Sequence, residues 1–546
     1  MLVPKSITCL KGYTKEQFLK DFISGIIVAI IALPLSIALG IASGVSPEKG
    51  LYTAIIGGFI VSLLGGSRVQ IGGPTGAFVV IVYGIIQKYG IDGLTVATIM
   101  AGIFLIIMGF LKLGSLIKYI PSSITTGFTS GIAIVIFSTQ IKDFLGLQMK
   151  SVPSEFINKW IAYFNSIHSI NLQSLFIAFL TLGIIVLWPK INKKIPGTFI
   201  AIVISTVVTM IFSLNINTIG SQFGELSSSL PKLIMPKVNL TMINELMLPA
   251  LTIAILAGVE SLLSAVVADG MIGGKHRSNM ELIGEGAANV FSGIFGGIPV
   301  TGAIARTAAN VKNGGRTPVA GIVHSLTLLI IMLLFMPYVK LVPMSSLAAV
   351  LVMVSYNMGE WEAFKDIFKA PKSDAIVFIV TFFLTVFLDL VVAIGVGVVL
   401  SSFLFMKKMA EITKVECVLD DLEDNDVNDL IDSIKIPKDI SVYEISGPFF
   451  FGAANKFVSA IREMGTPPKI LIIKMSKVPF MDATAYHSFE MLYDICKKNK
   501  TKLIMLELQE QPMEMLKKYG FVEIIGESSF CNNIDEAIER ANILVG

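Results

Sequence analysis

The stretch GGPTGA occupies residues 72–77, and GGIPVTGA occupies residues 296–303. A chain that writes nearly the same glycine-rich, proline-broken phrase once in each half is built on internal symmetry. Glycine allows close approach of backbone, and a helix cannot run into proline from its N-terminal side. Each phrase therefore predicts irregular backbone followed by a helix start, at Pro74/Thr75 in the first half and at Val300/Thr301 in the second. The second helix, read over 300–311, would rise only about 18 Å, against a hydrocarbon core of roughly 30 Å. Irregular backbone at membrane depth is tolerated only where protein or a water-filled cavity satisfies it, so both phrases point to an interior site.

The composition places these phrases in a membrane. Of 546 residues, 53% are hydrophobic and only 15% charged, and the mean hydropathy is +0.75. That is more apolar surface than a water-soluble fold of this length carries. A net charge of +3, with no basic tract interleaved with aromatics, argues against a nucleic-acid partner. Apolar stretches recur from Phe22 to about Met406. They give fourteen candidate spans: 22–42, 51–65, 74–88, 93–111, 123–141, 172–188, 196–213, 248–269, 281–297, 300–311, 318–336, 343–356, 374–389 and 390–406. The first reads as an ordinary span rather than a cleaved signal, so the N-terminus is expected to stay. Cys9, Cys417, Cys496 and Cys531 have no metal-ligand spacing and read as free thiols.

The repetition is wider than the opening phrase. An offset of 226 carries Gly44 to Gly270 and Thr75, Gly76 and Ala77 to Thr301, Gly302 and Ala303, and KYIPSS at 118 resembles KLVPMSS at 340. Two repeats of seven spans each, an odd number, must enter the membrane in opposite senses. The expected fold is thus a polytopic α-helical membrane protein of 14 spans, a 7+7 inverted repeat (about 21–213 and 248–406) with two half-helices. Lys5, Lys11, Lys15 and Lys20 precede the first span, and Lys190, Lys193, Lys194, Lys275, Arg277, Lys365, Lys369, Lys372, Lys407 and Lys408 fall in loops of the same side. Lys142, Lys150 and Lys159 fall on the other side, so the majority places both termini in the cytoplasm. After residue 410 the chain turns polar. We read 411–438 as an acidic linker and 439–546 as a small α/β domain, from strand-like runs such as KILIIKM alternating with helical patterns.

Several residues can carry chemistry. Each half-helix start offers unpaired N–H groups and the positive end of a helix dipole, with Thr75 or Thr301 as cap or ligand; two such ends aimed at one point bind an anion without a buried lysine. The alternative is that the glycines only let helices pack closely. Arg306, five residues into the second short helix, either attracts an anion or holds helices together in a fixed ion pair. Glu260 is the one acidic residue well inside its span. A carboxyl group held out of water can exchange a proton or ligate a cation, and the alternative is a structural partner for Arg306. Ser264, one turn later, could face the same cavity. Glu281 and Glu285 read as a solvated i, i+4 pair beside Lys275 and Arg277, and Asp269 and Asp389 as span ends. The four histidines form no cluster. With no P-loop and no hydrolase triad, neither an ATPase nor an enzyme is expected, and gradients would drive transport.

Four stretches, SPEKGLYTAIIGGFIVSLLGGSR, GPTGAF, ESLLSAVVADGMIGGKHRSNMELIGEGAAN and GGIPVTGAIARTAANVKNGGRTPVAG, resemble the SulP family of anion transporters along nearly the whole chain. The C-terminal unit resembles a STAS domain. The resemblance implies a core and a gate domain moving like an elevator, usually in dimers. It places the anion between the third and tenth spans, here Thr75, Gly76, Ala77, Phe78, Thr301, Gly302, Ala303 and Ile304, with Arg306 nearby. It makes Glu260 and Ser264 the coupling-ion position. Sodium-coupled bicarbonate members carry aspartate and threonine there, so this chain's pair favours H+ over Na+. In FMDATA, residues 480–485, Thr484 takes the place of a phosphorylated serine, although Asp482 also reads as a plain helix cap. The expectation is a proton-coupled symporter of a dicarboxylate, sulfate or bicarbonate in the cell membrane, homodimeric, without a cofactor, and with a cytoplasmic protein partner for its STAS domain. The rivals are sodium coupling, an anion channel, exchanger or motor, a nucleobase permease, which Arg306 disfavours, and a receptor.

Overall fold

A computed structural model of the chain describes residues 2–10, 12–115, 120–149, 152–153, 155–192, 195–388, 390–417, 439–462 and 467–545. Lys11, Lys118, Lys150, Lys193, Lys194 and Asp389, which entered the reading above, and residues 418–438 of the linker lie outside them. The chain divides into two units, Met1–Val398 and Val399–Gly546.

The first unit is helical. In chain order its principal elements are α1 (Lys15–Ala42), α2 (Gly58–Leu64), β1 (Gly72–Gly73), α3 (Val79–Phe110), α4 (Ser122–Leu145), α5 (Phe156–Asn165), α6 (Leu172–Ile191), α7 (Gly197–Ile211), α8 (Leu240–Ile272), α9 (Ser278–Ile294), β2 (Thr301–Gly302), α10 (Ile304–Lys312), α11 (Val319–Val339), α12 (Met344–Met358) and α13 (Lys372–Phe387). The helix α14 (Leu390–Ile412) runs on into the second unit. Among the described residues, seven helices are long and apolar enough to cross a membrane: Lys15–Ala42, Gly76–Phe110, Ser122–Leu145, Leu172–Ile191, Leu240–Ile272, Val319–Val339 and Val392–Ile412. Each of the fourteen candidate spans overlaps a helix.

Local chemistry sets several of the boundaries. Thr14 caps α1 by accepting from the Gln17 N–H, and Asn239 caps α8 by accepting from the Met242 N–H. Within α3, Gly90 takes φ 68° and ψ −167°, which breaks the helix into the two stretches read separately in the sequence. A Cβ on Gly102 of α3 would meet the backbone of Gly286 on α9, and one on Gly286 would meet Gly102, so small residues set this crossing. Two apolar clusters result. One gathers Phe78, Val82, Leu105, Phe128, Ile132 and Leu256, and the other Ile37, Leu51, Leu328, Met332, Leu347 and Val350.

The second unit is a five-stranded sheet in the order β3 (Lys414–Cys417), β4 (Ile440–Ser446), β5 (Ile470–Lys477), β6 (Lys502–Leu506), β7 (Phe530–Cys531). β3 runs antiparallel to β4 and the rest are parallel. Strand β3 lies within the stretch read as linker. Its alternating charged residues hid it, because an edge strand faces solvent along much of its length. Ile470 and Ile472 pack on one face of the sheet and Leu471 and Ile473 on the other, so both faces are buried, as parallel strands require.

Candidate functional site

The two glycine-rich phrases meet. β1 and β2 pair antiparallel, with Gly72 opposite Gly302 and Gly73 opposite Thr301, and the Ala303 N–H donates to the Ile71 carbonyl at 2.9 Å. Side chains are excluded from this crossing. A Cβ on Gly73 would land on the Arg306 guanidinium, and one on Gly302 on the Gln70 amide.

Beyond the strands, a 3₁₀ turn over Gly76–Phe78 leads into α3, and α10 begins at Ile304 with Ala303 as its N-cap. The second helix therefore starts three residues after Thr301, where the sequence had placed it, because Thr301 is consumed by the strand pair. Neither threonine caps a helix. Thr75 Oγ1 donates to Glu260 Oε2 at 2.8 Å, and Thr301 Oγ1 donates to the Ala257 carbonyl at 3.0 Å. The first N–H groups of each helix, at Gly76 and Ala77 and at Ile304 and Ala305, have no carbonyl one turn back and no side-chain cap. They stay open to a ligand. Ile304 is 43% exposed, and Thr75 and Glu260 are partly exposed. Ala77, Phe78, Thr301, Gly302 and Ala303 are buried and can reach a ligand only through backbone.

Arg306 is 3% exposed and reaches across to the other repeat, donating from Nη2 to the Pro74 carbonyl at 2.6 Å. Its Nη1 has no partner among the described residues. Among the described residues no ion pair joins it to Glu260, whose carboxylate accepts from Thr75, so the structure does not take up the alternative of an Arg306–Glu260 pair. The guanidinium keeps one free fork arm beside Gly73. Ser264 is fully buried and donates to Thr307 Oγ1 at 3.3 Å, while Thr307 Oγ1 accepts from the Ile71 N–H at 3.1 Å. One helical turn on α8 thus separates the partly exposed carboxylate from a hydroxyl used to brace β1.

Residues assigned little in the sequence hold the site in place. Glu281 and Glu285 are both fully buried, not solvated. Glu281 Oε2 accepts from the Gly66 and Ser67 N–H groups at 2.6 and 2.7 Å. The Ser261 hydroxyl lies 3.2 Å from Glu281 Oε1 and 3.1 Å from Glu285 Oε2, and itself accepts from Gln70 Nε2 at 2.6 Å. Asn289 pairs with both backbone groups of Val300 at 2.9 Å, and Asn310 donates to the Val69 carbonyl at 2.8 Å. These side chains satisfy the irregular backbone on either side of β1 and β2. A signal for them was present: Glu281, Glu285, Asn289 and Ser292 follow a helical repeat, and a polar stripe on a membrane helix faces protein, not lipid.

Comparisons with known proteins found relatives along nearly the whole chain. Residues 18–381 match the model of the sulfate permease family, and residues 433–537 match the STAS domain. The protein YvdB of Bacillus subtilis, provisionally named a sulfate transporter, is 40% identical over 528 residues, 96% of this chain and 98% of its own. The bicarbonate transporter BicA of Picosynechococcus is 30% identical over 90% of this chain and 89% of its own. Among solved structures, the transmembrane domain of a cyanobacterial BicA superposes with a TM-score of 0.65 at 30% identity, over 72% of this chain and all 100% of its own. Murine Slc26a9 gives 0.87 over 99% of this chain and 94% of its own; at 19% identity that likeness concerns the fold.

Proposed function

Because this chain belongs to the sulfate permease family, we propose that it is a secondary active anion transporter that couples uptake of a small anion to protons. The observation that carries the reading is the pairing of the two strands that lead into the uncapped helix starts, with Arg306 bonded to the Pro74 carbonyl and Glu260 to the Thr75 hydroxyl beside it. Open N–H groups, dipole ends and a guanidinium all attract negative charge. The carboxylate repels it. When Glu260 takes a proton, that repulsion is removed, so proton and anion bind together and leave together. This is symport.

Relatives named for sulfate and for bicarbonate support an oxyanion or bicarbonate as substrate, with a dicarboxylate as the further candidate. We place both termini in the cytoplasm, consistent with the lysine-rich loops. We further propose that the half-helices move together as an elevator against the rest of a homodimeric carrier. The STAS domain offers Thr484, exposed in the first turn of the helix α15 (Ala483–Asn499), for phosphorylation or for a cytoplasmic protein partner. Uptake of labelled sulfate, bicarbonate and succinate into proteoliposomes, under an imposed pH gradient and then a sodium gradient, tests the reading. Accumulation of one anion with the pH gradient alone is expected. Accumulation with sodium alone would transfer the coupling role to Na+, and downhill currents with neither would favour a channel.

A further inference from the structure

A cavity of about 320 Å³ lies at the ends of α1, α4 and α12 away from the strand crossing, bounded also by α3 and α5. It has room for about ten water molecules at roughly 30 Å³ each. Its polar lining includes Tyr83, Gln87, Gln140, Lys142, Asp143 and Lys159, and it reaches Val79, the residue after the Gly76–Phe78 turn. Lys159 is the unusual member. It is 3% exposed, yet among the described residues it has no ion pair, and its Nζ contacts only Ser138 Oγ at 3.5 Å. That is the outer limit of a hydrogen bond. A buried ammonium needs a counter-charge, or its desolvation goes uncompensated.

Among the described residues no carboxylate forms an ion pair with it. Asp143, the one acidic residue of the lining, stands next to Lys142 on α4, so two lysines against one aspartate leave the chamber a net charge of +1. The other titratable groups facing it are phenols: Tyr83 on α3 donates to the Val152 carbonyl at 3.0 Å, and Tyr163, on the same helix as Lys159, donates to the Ser138 carbonyl at 2.9 Å. α1 and α12 contribute only small and apolar residues.

We infer that this chamber is a second anion site, in which Lys159 is the counter-charge for a small oxyanion or carboxylate on its way to or from the strand crossing. The inference rests on the transporter reading for its biological sense, and under the proposed orientation the chamber lies on the outer side. Binding itself can be tested without transport. Burial pushes the Lys159 ammonium down to about 8, so it is charged at neutral pH. Anion binding there is therefore present below that value and is lost as the pH rises through it.

The experiment is acetylation of the purified full-length protein with acetic anhydride, read by peptide mass spectrometry, with sodium sulfate or sodium succinate against isethionate at constant ionic strength. The exposed Lys190 serves as the internal reference. At pH 7 the anion should slow acetylation of Lys159 at least five-fold and saturably, and should leave Lys190 unchanged. The protection should persist in an Arg306→Gln variant, whose central site is disabled, and should fade above about pH 8. Equal labelling with and without the anions, or protection that disappears with Arg306→Gln, would overturn the inference. In proteoliposomes, Lys159→Gln should raise KM for external anion at least five-fold with kcat retained; an unchanged KM also counts against it. A protein that protects Lys159 but accumulates no anion would keep the chamber and refute the transport reading, so the two failures are separable.

Discussion

Replacing Glu260 with glutamine should separate anion binding from proton coupling. The amide keeps the size of the carboxyl and can still accept from Thr75, whose hydroxyl donates across 2.8 Å. An anion held on the N–H groups just after Thr75 sits one more hydrogen bond away, about 3 Å, so about 6 Å from the Glu260 charge. At an effective dielectric of about 20, two unit charges at that distance repel by about 3 kcal/mol. This corresponds to roughly a 100-fold change in affinity. In the unmodified protein, anion affinity measured by titration calorimetry should rise about that much as the pH falls and Glu260 is neutralised. In Glu260→Gln it should be high at every pH, exchange of labelled for unlabelled anion should continue, and accumulation driven by a pH gradient should disappear. Gradient-driven accumulation by the glutamine variant, or a pH-independent affinity in the unmodified protein, would refute the reasoning.

Four further variants probe the close contacts and hydrogen bonds of the two units. Gly73→Ala places a methyl group on the Arg306 guanidinium, and uptake should fall at least ten-fold while the protein still purifies as a folded species by size exclusion. Glu281→Gln weakens an acceptor of two buried N–H groups and should cost about 2–3 kcal/mol in stability, read as a lowered Tm; Glu285→Gln, which can donate to Ser261, should cost less than 1 kcal/mol by the same measure. Asp482→Ala removes the cap that accepts from the Ala485 N–H at 2.9 Å and from the Phe451 N–H at 3.1 Å; it should destabilise the second unit by about 1–2 kcal/mol, seen as faster amide exchange at the start of the helix Ala483–Asn499.

The breaks in regular structure were legible in the sequence, because glycine and proline act locally. β1 and β2 fall within the two phrases, Gly90 breaks α3 between 88 and 93, and the isolated charges Glu260 and Arg306 bond to Thr75 and Pro74 of the first phrase. Side-chain direction was not legible. Ser261 and Ser264 are equally plausible neighbours of Glu260 on an apolar helix, since a helix that is apolar all round has no stripe to orient it. Only the packing of Thr307 against Ser264 and of Gln70 against Ser261 distinguishes them. Glu281 was misread for a related reason. Its partners Gly66 and Ser67 lie more than two hundred residues away, whereas the nearest charges in sequence, Lys275 and Arg277, suggested solvent. Lys159 lay in a short loop helix whose burial depends on α4.

The central claim is that the substrate anion sits between the two helix starts. Selenate, which replaces sulfate and scatters anomalously, would locate it in crystals of the full-length protein grown at low pH, where Glu260 is neutral. An anomalous peak is expected within hydrogen-bond reach of the Gly76 and Ile304 N–H groups and of Arg306 Nη1, absent in Arg306→Gln. A peak elsewhere in the membrane unit with none at the strand crossing, in protein that transports selenate, would contradict it.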